Sequence, residues 1–107
     1  MYSIDLDKKI YRPLHKVLKD MNLSEGEALI DFSLLTALSK LSEFEDECNI
    51  FKERYGMSFK DFEKRVLKAK KENFQEWDDY MEWKFANIGR EHWGKRVKEL
   101  KDALRSS

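Results

Sequence analysis

Two histidines are the residues of this 107-residue chain best suited to acid–base chemistry near neutral pH. His15 and His92 stand near opposite ends of the chain, and neither belongs to a metal-ligand spacing such as H-x-x-x-H. His92 directly follows Glu91, so on a helix the two side chains point about 100° apart and cannot hold one metal ion together. The histidines therefore predict neither a catalytic pair nor a metal site.

The remaining reactive side chains are one cysteine and a cluster of acids. A single cysteine, Cys48, excludes an internal disulfide framework and every Cys-rich zinc motif. It falls on an apolar helical face, which favours a buried small side chain over a regulatory thiol. Asp78, Asp79 and Glu82 could approach a divalent ion, but oxygen-only sites usually draw more ligands from several elements. Phosphate-binding glycine loops and G-x-S-x-G are also missing, so the sequence predicts a protein that is not an enzyme and has no cofactor.

The composition points to a helical protein without a strong charge bias. The chain has 21 basic and 21 acidic residues, whereas nucleic-acid binders usually carry a basic excess. With 4 Gly and 1 Pro it has too few turn-forming residues for an all-β fold. No apolar run approaches the 18 residues of a membrane span. We expect one all-α or predominantly α domain over residues 1–107, located in the cytoplasm. Its lysine and glutamate content, with a single glutamine, is typical of heat-adapted proteins.

A long heptad pattern predicts the principal helix, over residues 25–55 and about 46 Å long. Ser24 and Glu27 form a capping box at its start, and Gly56 follows its end. A break near Ser39 and Ser42 would give two shorter helices, and the pattern leaves both open. Because the chain has few other elements with which to cover so long an apolar face, we expect a homodimer. The candidate interface residues are Ile30, Leu34, Leu41, Phe44 and Phe51.

Shorter helices are predicted over residues 8–21, 59–70, 74–88 and 91–105. Ser58 and Asp61 form a second capping box. Gly89 and Gly94 are expected to weaken the C-terminal helices and separate them. Pro13 predicts either a kink or a helix that begins near Arg12.

The first 41 residues resemble ribbon-helix-helix repressors. Ile4 and Leu6 alternate with polar residues, as in a short strand that would pair with its copy across a dimer. The segments that carry the resemblance are Leu-Asp-Lys-Lys-Ile-Tyr at residues 6–11 and Asn-Leu-Ser-Glu-Gly-Glu-Ala-Leu-Ile at residues 22–30. The resemblance implies that paired strands enter the DNA major groove. Asp5 and Asp7 depart from it, because they place acids where the groove favours donors or cations.

Residues 51–85, about a third of the chain, are similar to a group of small archaeal and bacterial proteins classed as antitoxins. The matching segments are Phe-Lys-Glu-Arg-Tyr-Gly-Met-Ser-Phe-Lys-Asp-Phe-Glu-Lys-Arg at 51–65 and Glu-Asn-Phe-Gln-Glu-Trp-Asp-Asp-Tyr-Met-Glu-Trp-Lys at 72–84. Members of the group are typically encoded beside a small toxin-like protein. The resemblance implies a non-catalytic role in which the chain binds a protein partner.

The aromatic residues favour the same role. Five of them, together with Met81, crowd into residues 74–85, where they cover more than half of the helix circumference, and one helix face cannot hide them all. We assign Trp77, with Phe74, Met81, Phe85 and Ile88, mainly to the core, and Trp83 to the partner surface. An entirely internal aromatic core is the alternative. The candidate partner-binding residues are Phe74, Trp77, Tyr80, Trp83, Trp93, Asp78 and Asp79.

Local charge indicates what kind of partner this would be. Residues 72–83 contain five acids and no base, and basic segments lie on both sides. Such a belt suits a small basic protein, as a toxin that binds RNA would be; solvated helix faces with i,i+4 ion pairs are the alternative. The sequence thus predicts an antitoxin-like protein that masks a toxin. The alternatives are a ribbon-helix-helix repressor, with residues 1–41 as the dimerisation and DNA-binding part and 42–107 as the partner-binding part, and, third, a small helical ribonuclease.

Overall fold

The computed structural model describes residues 8–69 and 73–106, which fold into four helices. These are α1 (Lys8–Asp20), α2 (Glu25–Tyr55), α3 (Phe59–Ala69) and α4 (Phe74–Ser106). The all-α prediction is confirmed for these residues. The strand expected at Ile4 and Leu6 lies outside the described residues. α1 contains Pro13 in its interior, so the alternative start near Arg12 is wrong.

Local capping signals set the helix ends where the sequence predicts them. The Ser24 hydroxyl accepts a hydrogen bond from the Glu27 backbone N–H at 3.1 Å, so one of the otherwise unpaired amides of the first turn is satisfied. Gly56 adopts the left-handed conformation, with φ of 63°, and donates its N–H to the Lys52 carbonyl at 2.8 Å. The Ser58 hydroxyl accepts from the Asp61 N–H at 3.2 Å. α2 runs unbroken between its caps.

α4 is one continuous helix of 33 residues, and the predicted separation at Gly89 and Gly94 is wrong. Gly89 has a packing role instead. A Cβ built at this position would lie 2.6 Å from the ring of Phe44 on α2. The glycine therefore lets α2 and α4 approach closely, which offsets its poor helix propensity.

α2 and α4 pack antiparallel along their lengths. Phe51 contacts Trp83 and Cys48 contacts Asn87, while Phe44 lies against Gly89 further along α4. At 1.5 Å per residue α4 extends about 50 Å, enough to follow the whole of α2. The heptad face of α2 therefore packs inside the chain. It is not the free surface on which the homodimer prediction depended.

Two of the five residues predicted at that dimer interface pack within the chain's own core. Phe51 is buried in the core and Phe44 packs against it. Ile30, Leu34 and Leu41 are partly buried. The prediction was wrong about what covers this face, because it expected too few other elements in the chain to cover it, whereas α4 packs along α2.

The core is concentrated where α3 packs against α2 and α4. Phe62, which is fully buried, stacks on Tyr55 with ring centroids 4.1 Å apart and lies 5.5 Å from Trp83. Phe59 stacks on Tyr80 at 5.7 Å. Toward the other end of the elongated molecule, which measures 60 × 29 × 24 Å, the buried apolar side chains of the described residues are Leu18, Ala37 and Val97. One end thus has a dense aromatic core and the other a thin one.

Candidate interaction surface

The two tryptophans of the aromatic segment lie the opposite way round from the sequence prediction. Trp83 is 2% exposed and packs among Phe51, Phe59 and Phe62, so its assignment to a partner surface is wrong. Trp77 is partly buried at the edge of the core. The core-facing side of α4 carries Asp79, Tyr80, Trp83 and Ala86.

Asp79 faces the core because α2 supplies partners for its carboxylate. Arg54 donates to Asp79 Oδ2 at 2.9 Å, the Tyr55 hydroxyl donates to the same oxygen, and Gln75 donates to Oδ1 at 3.0 Å. Burial raises the pKa of Asp79, but these hydrogen bonds and the Arg54 charge outweigh it, so the net pKa lies below the usual value. Asp79 is therefore a structural anion that joins α2 to α4, and its predicted place on the partner surface is wrong.

The tyrosines around this carboxylate serve as hydrogen-bond donors. Burial and the hydrogen bond to Asp79 raise the pKa of Tyr55 to about 12. Tyr80 donates to Glu63 Oε2 at 2.7 Å, which also raises the pKa of Tyr80. Both hydroxyls stay protonated at neutral pH, where they fix helix positions. Tyr80 is buried, so it too was wrongly predicted to face a partner.

The side of α4 opposite the core exposes a row of large apolar side chains. Phe74 is 78% exposed, Phe85 66% and Ile88 55%. With exposed Asp78 and partly buried Met81 they repeat at spacings of 4, 3, 4 and 3 residues, so they share one helix face. We call these five residues the outer face of α4. It contains two of the predicted partner-binding residues, Phe74 and Asp78.

The remaining predicted partner-binding residue, Trp93, lies elsewhere. It is partly buried and lines an open groove of about 390 Å³ between α2 and α4, together with Phe32, His92 and Arg96.

The acidic residues of the predicted belt do not form one continuous exposed surface. Asp78 and Glu82 are exposed, whereas Glu76 forms an ion pair with Arg65 of α3. The structure therefore breaks the predicted acidic belt into an exposed part and a structural part.

The side chains best suited to chemistry, which are the two histidines and the cysteine, lie in separate parts of the structure. His15 lines a groove at the α1–α2 turn and stacks on Tyr11, whereas His92 lines the groove on α4. Cys48 is buried with its thiol 3.4 Å from Asn87 Oδ1, and burial raises the pKa of this thiol. Within residues 8–69 and 73–106 no group of three His, Cys, Asp or Glu side chains is placed to hold a metal ion. In the same part of the chain, no helix is long and apolar enough to cross a membrane.

Sequence reasoning missed a second apolar surface, on the first half of α2 and on α1. The first half of α2 exposes Phe32 (70%) and Leu35 (68%), with Leu29 and Leu38 on either side of them around the helix, and Phe32 also borders the groove that Trp93 lines. We call these four residues the outer face of α2. The sequence contained a signal for this surface, because residues 28–39 include one charged residue, Asp31. A helix that is apolar on all sides needs other elements or another protein to cover every side.

α1 exposes an apolar stripe of its own. Ile10, Leu14, Val17 and Met21 are all exposed and repeat at spacings of 4, 3 and 4 residues. The adjacent side of α1 carries Tyr11, which hydrogen-bonds to Glu25 at the start of α2. We call the four exposed residues the α1 stripe.

Both ends of the molecule thus carry exposed apolar faces larger than scattered single residues. No protein-family model, curated protein or solved structure matches the chain. Its function is therefore inferred from its own residues.

Proposed function

We propose that the protein is a non-catalytic, antitoxin-like binding protein that masks the surface of a small basic toxin-like partner. The observation that carries the proposal is the outer face of α4, where Phe74, Phe85 and Ile88 are exposed in one row. The opposite side of α4 already packs against the core, so the exposed row adds nothing to the packing within the chain. Large exposed apolar rows of this kind are typical of protein interfaces.

The charge around this face supports a basic partner. Asp78 lies within the row and Glu82 is exposed one turn further along α4. Acids at the edge of an apolar contact steer a basic protein toward it and disfavour acidic competitors. The resemblance of residues 51–85 to antitoxins supports a protein partner but does not bear on its charge.

Growth rescue tests the proposal. The product of the neighbouring gene is expressed under one inducible promoter and this chain under another. We expect the neighbour to arrest growth and the wild-type chain to restore it. Phe85→Asp should fail to restore growth, because a charge replaces an exposed apolar contact without disturbing the core. Leu67→Asp, an exposed leucine on α3 outside the outer face of α4, is the matched control and should restore growth. Equal rescue by both variants would refute the assignment of this face.

Self-association is part of the proposal, although the heptad face of α2 is already covered by α4. The α1 stripe and the outer face of α2 are exposed on the described chain, and a homodimer would cover them. The outer face of α4 would remain free for the partner.

A ribbon-helix-helix repressor is the second candidate. The observation that favours it is the order of α1, a tight turn and capped α2, with Asn22 in the left-handed conformation at φ of 57°. The strand that would enter DNA falls on residues 1–7, which the structure does not describe. Since Asp5 and Asp7 would face the groove, we expect DNA binding to be weak and lost by about 200 mM salt. An electrophoretic mobility assay across a salt series checks this, and tight sequence-selective binding at that salt would contradict it.

A further inference from the structure

We infer that two copies of this chain associate by placing the α1 stripe of each copy on the outer face of α2 of the other. The inference rests on the self-association included in the proposed function, and it assigns the surface that mediates it. It needs neither residues 1–7 nor a paired strand. Three considerations support it: the exposed area, the charge beside each face and the closed symmetry of the arrangement.

The exposed area matches what a stable dimer buries. The α1 stripe and the outer face of α2 contain eight large apolar side chains that are about half exposed on average. Seven of the eight are smaller than an aromatic side chain, so at about 150 Å² each when fully exposed they present roughly 650 Å² of apolar surface per copy, and the polar rim supplies the rest. A standard protein interface buries about 800 Å² on each partner.

Charge favours one arrangement of these faces. Of the charged residues of α1, Asp20, Lys9 and Lys16 lie nearest the α1 stripe, about 90–130° around the helix from it, whereas Arg12 and Lys19 lie on the opposite side. The first half of α2 carries Glu25, Glu27 and Asp31, and no basic residue occurs before Lys40. A contact of α1 with α1 would oppose bases to bases, and a contact of α2 with α2 would oppose acids to acids. The crossed arrangement is the one that brings opposite charges together.

The crossed arrangement is also closed. Each copy offers one α1 stripe and one outer face of α2, so a twofold axis satisfies both pairs at once and leaves the outer face of α4 free for the partner. An anionic membrane is the other surface that a basic amphipathic helix such as α1 would fit. Such a membrane would repel the acids beside the outer face of α2 and leave Phe32 and Leu35 uncovered. A second copy therefore accounts for more of the exposed surface.

Sedimentation velocity on the full chain tests the inference. We expect the wild type at tens of micromolar to sediment at twice the chain mass of 12.9 kDa. Phe32→Glu and Val17→Glu should each raise the dissociation constant by about 100-fold, as expected for a charge in the centre of an apolar contact. Phe85→Glu makes the same kind of change at a similarly exposed residue on α4 and should leave the dimer intact.

Charge reversal distinguishes the crossed arrangement from the symmetric ones. In the crossed dimer, Lys16→Glu or Asp31→Lys alone weakens association by about tenfold at low salt, since each puts like charges together. In a dimer of α1 with α1, Lys16→Glu would strengthen association instead. Strengthening by either single reversal would therefore overturn the inference. So would dissociation by Ile4→Asp with no effect of Phe32→Glu, which would place the contact at residues 1–7.

Two further outcomes keep this inference separate from the proposed function. A monomeric wild type that binds phosphatidylserine vesicles through Val17 would overturn the dimer in favour of a membrane surface. If Phe32→Glu is monomeric and still rescues growth, the dimer assignment and partner binding on α4 both hold. If the wild type is dimeric through these faces but rescues nothing, the inference stands and the proposed function fails.

Discussion

Replacing Gly89 with alanine places a methyl group within 2.6 Å of the Phe44 ring, closer than any ordinary carbon–carbon contact. Either the ring must rotate away from α4 or the two long helices must separate locally. Adding a methylene to a packed site costs about 1–3 kcal/mol. Alanine also favours the helix over glycine by about 1 kcal/mol. We therefore expect Gly89→Ala to lower the free energy of unfolding by about 1 kcal/mol.

Gly94→Ala is the matched control, because a Cβ at Gly94 meets no atom within 4 Å. The same gain in helix propensity then acts alone, and the variant should be about 1 kcal/mol more stable than wild type. The difference between the two variants, about 2 kcal/mol, isolates the contact with Phe44. It corresponds to roughly 10 °C in Tm for a domain of this size.

Urea denaturation followed by circular dichroism measures both variants against wild type. Phe44→Leu in the Gly89→Ala background should recover part of the loss, since it removes the ring that the methyl group meets. Equal stabilisation by Gly89→Ala and Gly94→Ala would refute the reasoning. It would mean that α2 and α4 do not approach each other at Gly89.

The core yields two further predictions. Trp83→Ala should cost about 3–5 kcal/mol of unfolding free energy in urea denaturation, whereas Trp77→Ala, at the edge of the core, should cost clearly less. A larger loss for Trp77→Ala would contradict the core described above. Asp79 has a pKa below its ordinary value of 3.8, so its contribution to stability is present above that pH and is lost as the pH falls through the lowered pKa. Asp79→Asn should remove this part of the pH dependence in thermal melts between pH 2 and 6, with Asp78→Asn as control for the loss of one charge; an unchanged profile in Asp79→Asn would contradict it.

Both ends of α2 and the start of α3 could be predicted from the sequence because their causes are local. Ser24, Gly56 and Ser58 each act on backbone groups within four residues, so a short segment contains both the signal and its partner. The all-α class follows from the same signals together with the heptad spacing of α2.

The orientation of α4 could not be predicted, because its cause is not local. An aspartate between tryptophans is typical of a solvated face, yet Asp79 is buried since Arg54 and Tyr55 of α2 satisfy its carboxylate. The apolar row through Phe74 and Phe85 is the more regular pattern, but it lies outside the core. Regular spacing shows that residues share a face, and it does not show which face the rest of the chain covers.

The continuity of α4 through Gly89 could not be predicted for the same reason. Glycine has a low helix propensity, so Gly89 predicts a helix end. In the structure the ring of Phe44 on α2 packs directly against Gly89, where any larger residue would clash. The chain was expected to have too few other elements to cover the heptad face of α2, so a dimer interface was predicted there, whereas the continuous α4 packs along that face.

Calorimetric titration of the neighbouring gene's product into the purified chain tests the central claim, that the outer face of α4 binds a protein partner. We expect wild type and Leu67→Asp to bind with dissociation constants within about threefold of each other. Phe85→Asp should raise the dissociation constant by about 30-fold, since truncating or charging a central apolar contact costs about 2 kcal/mol. Equal binding by all three proteins, or no binding by the wild type, would contradict the claim.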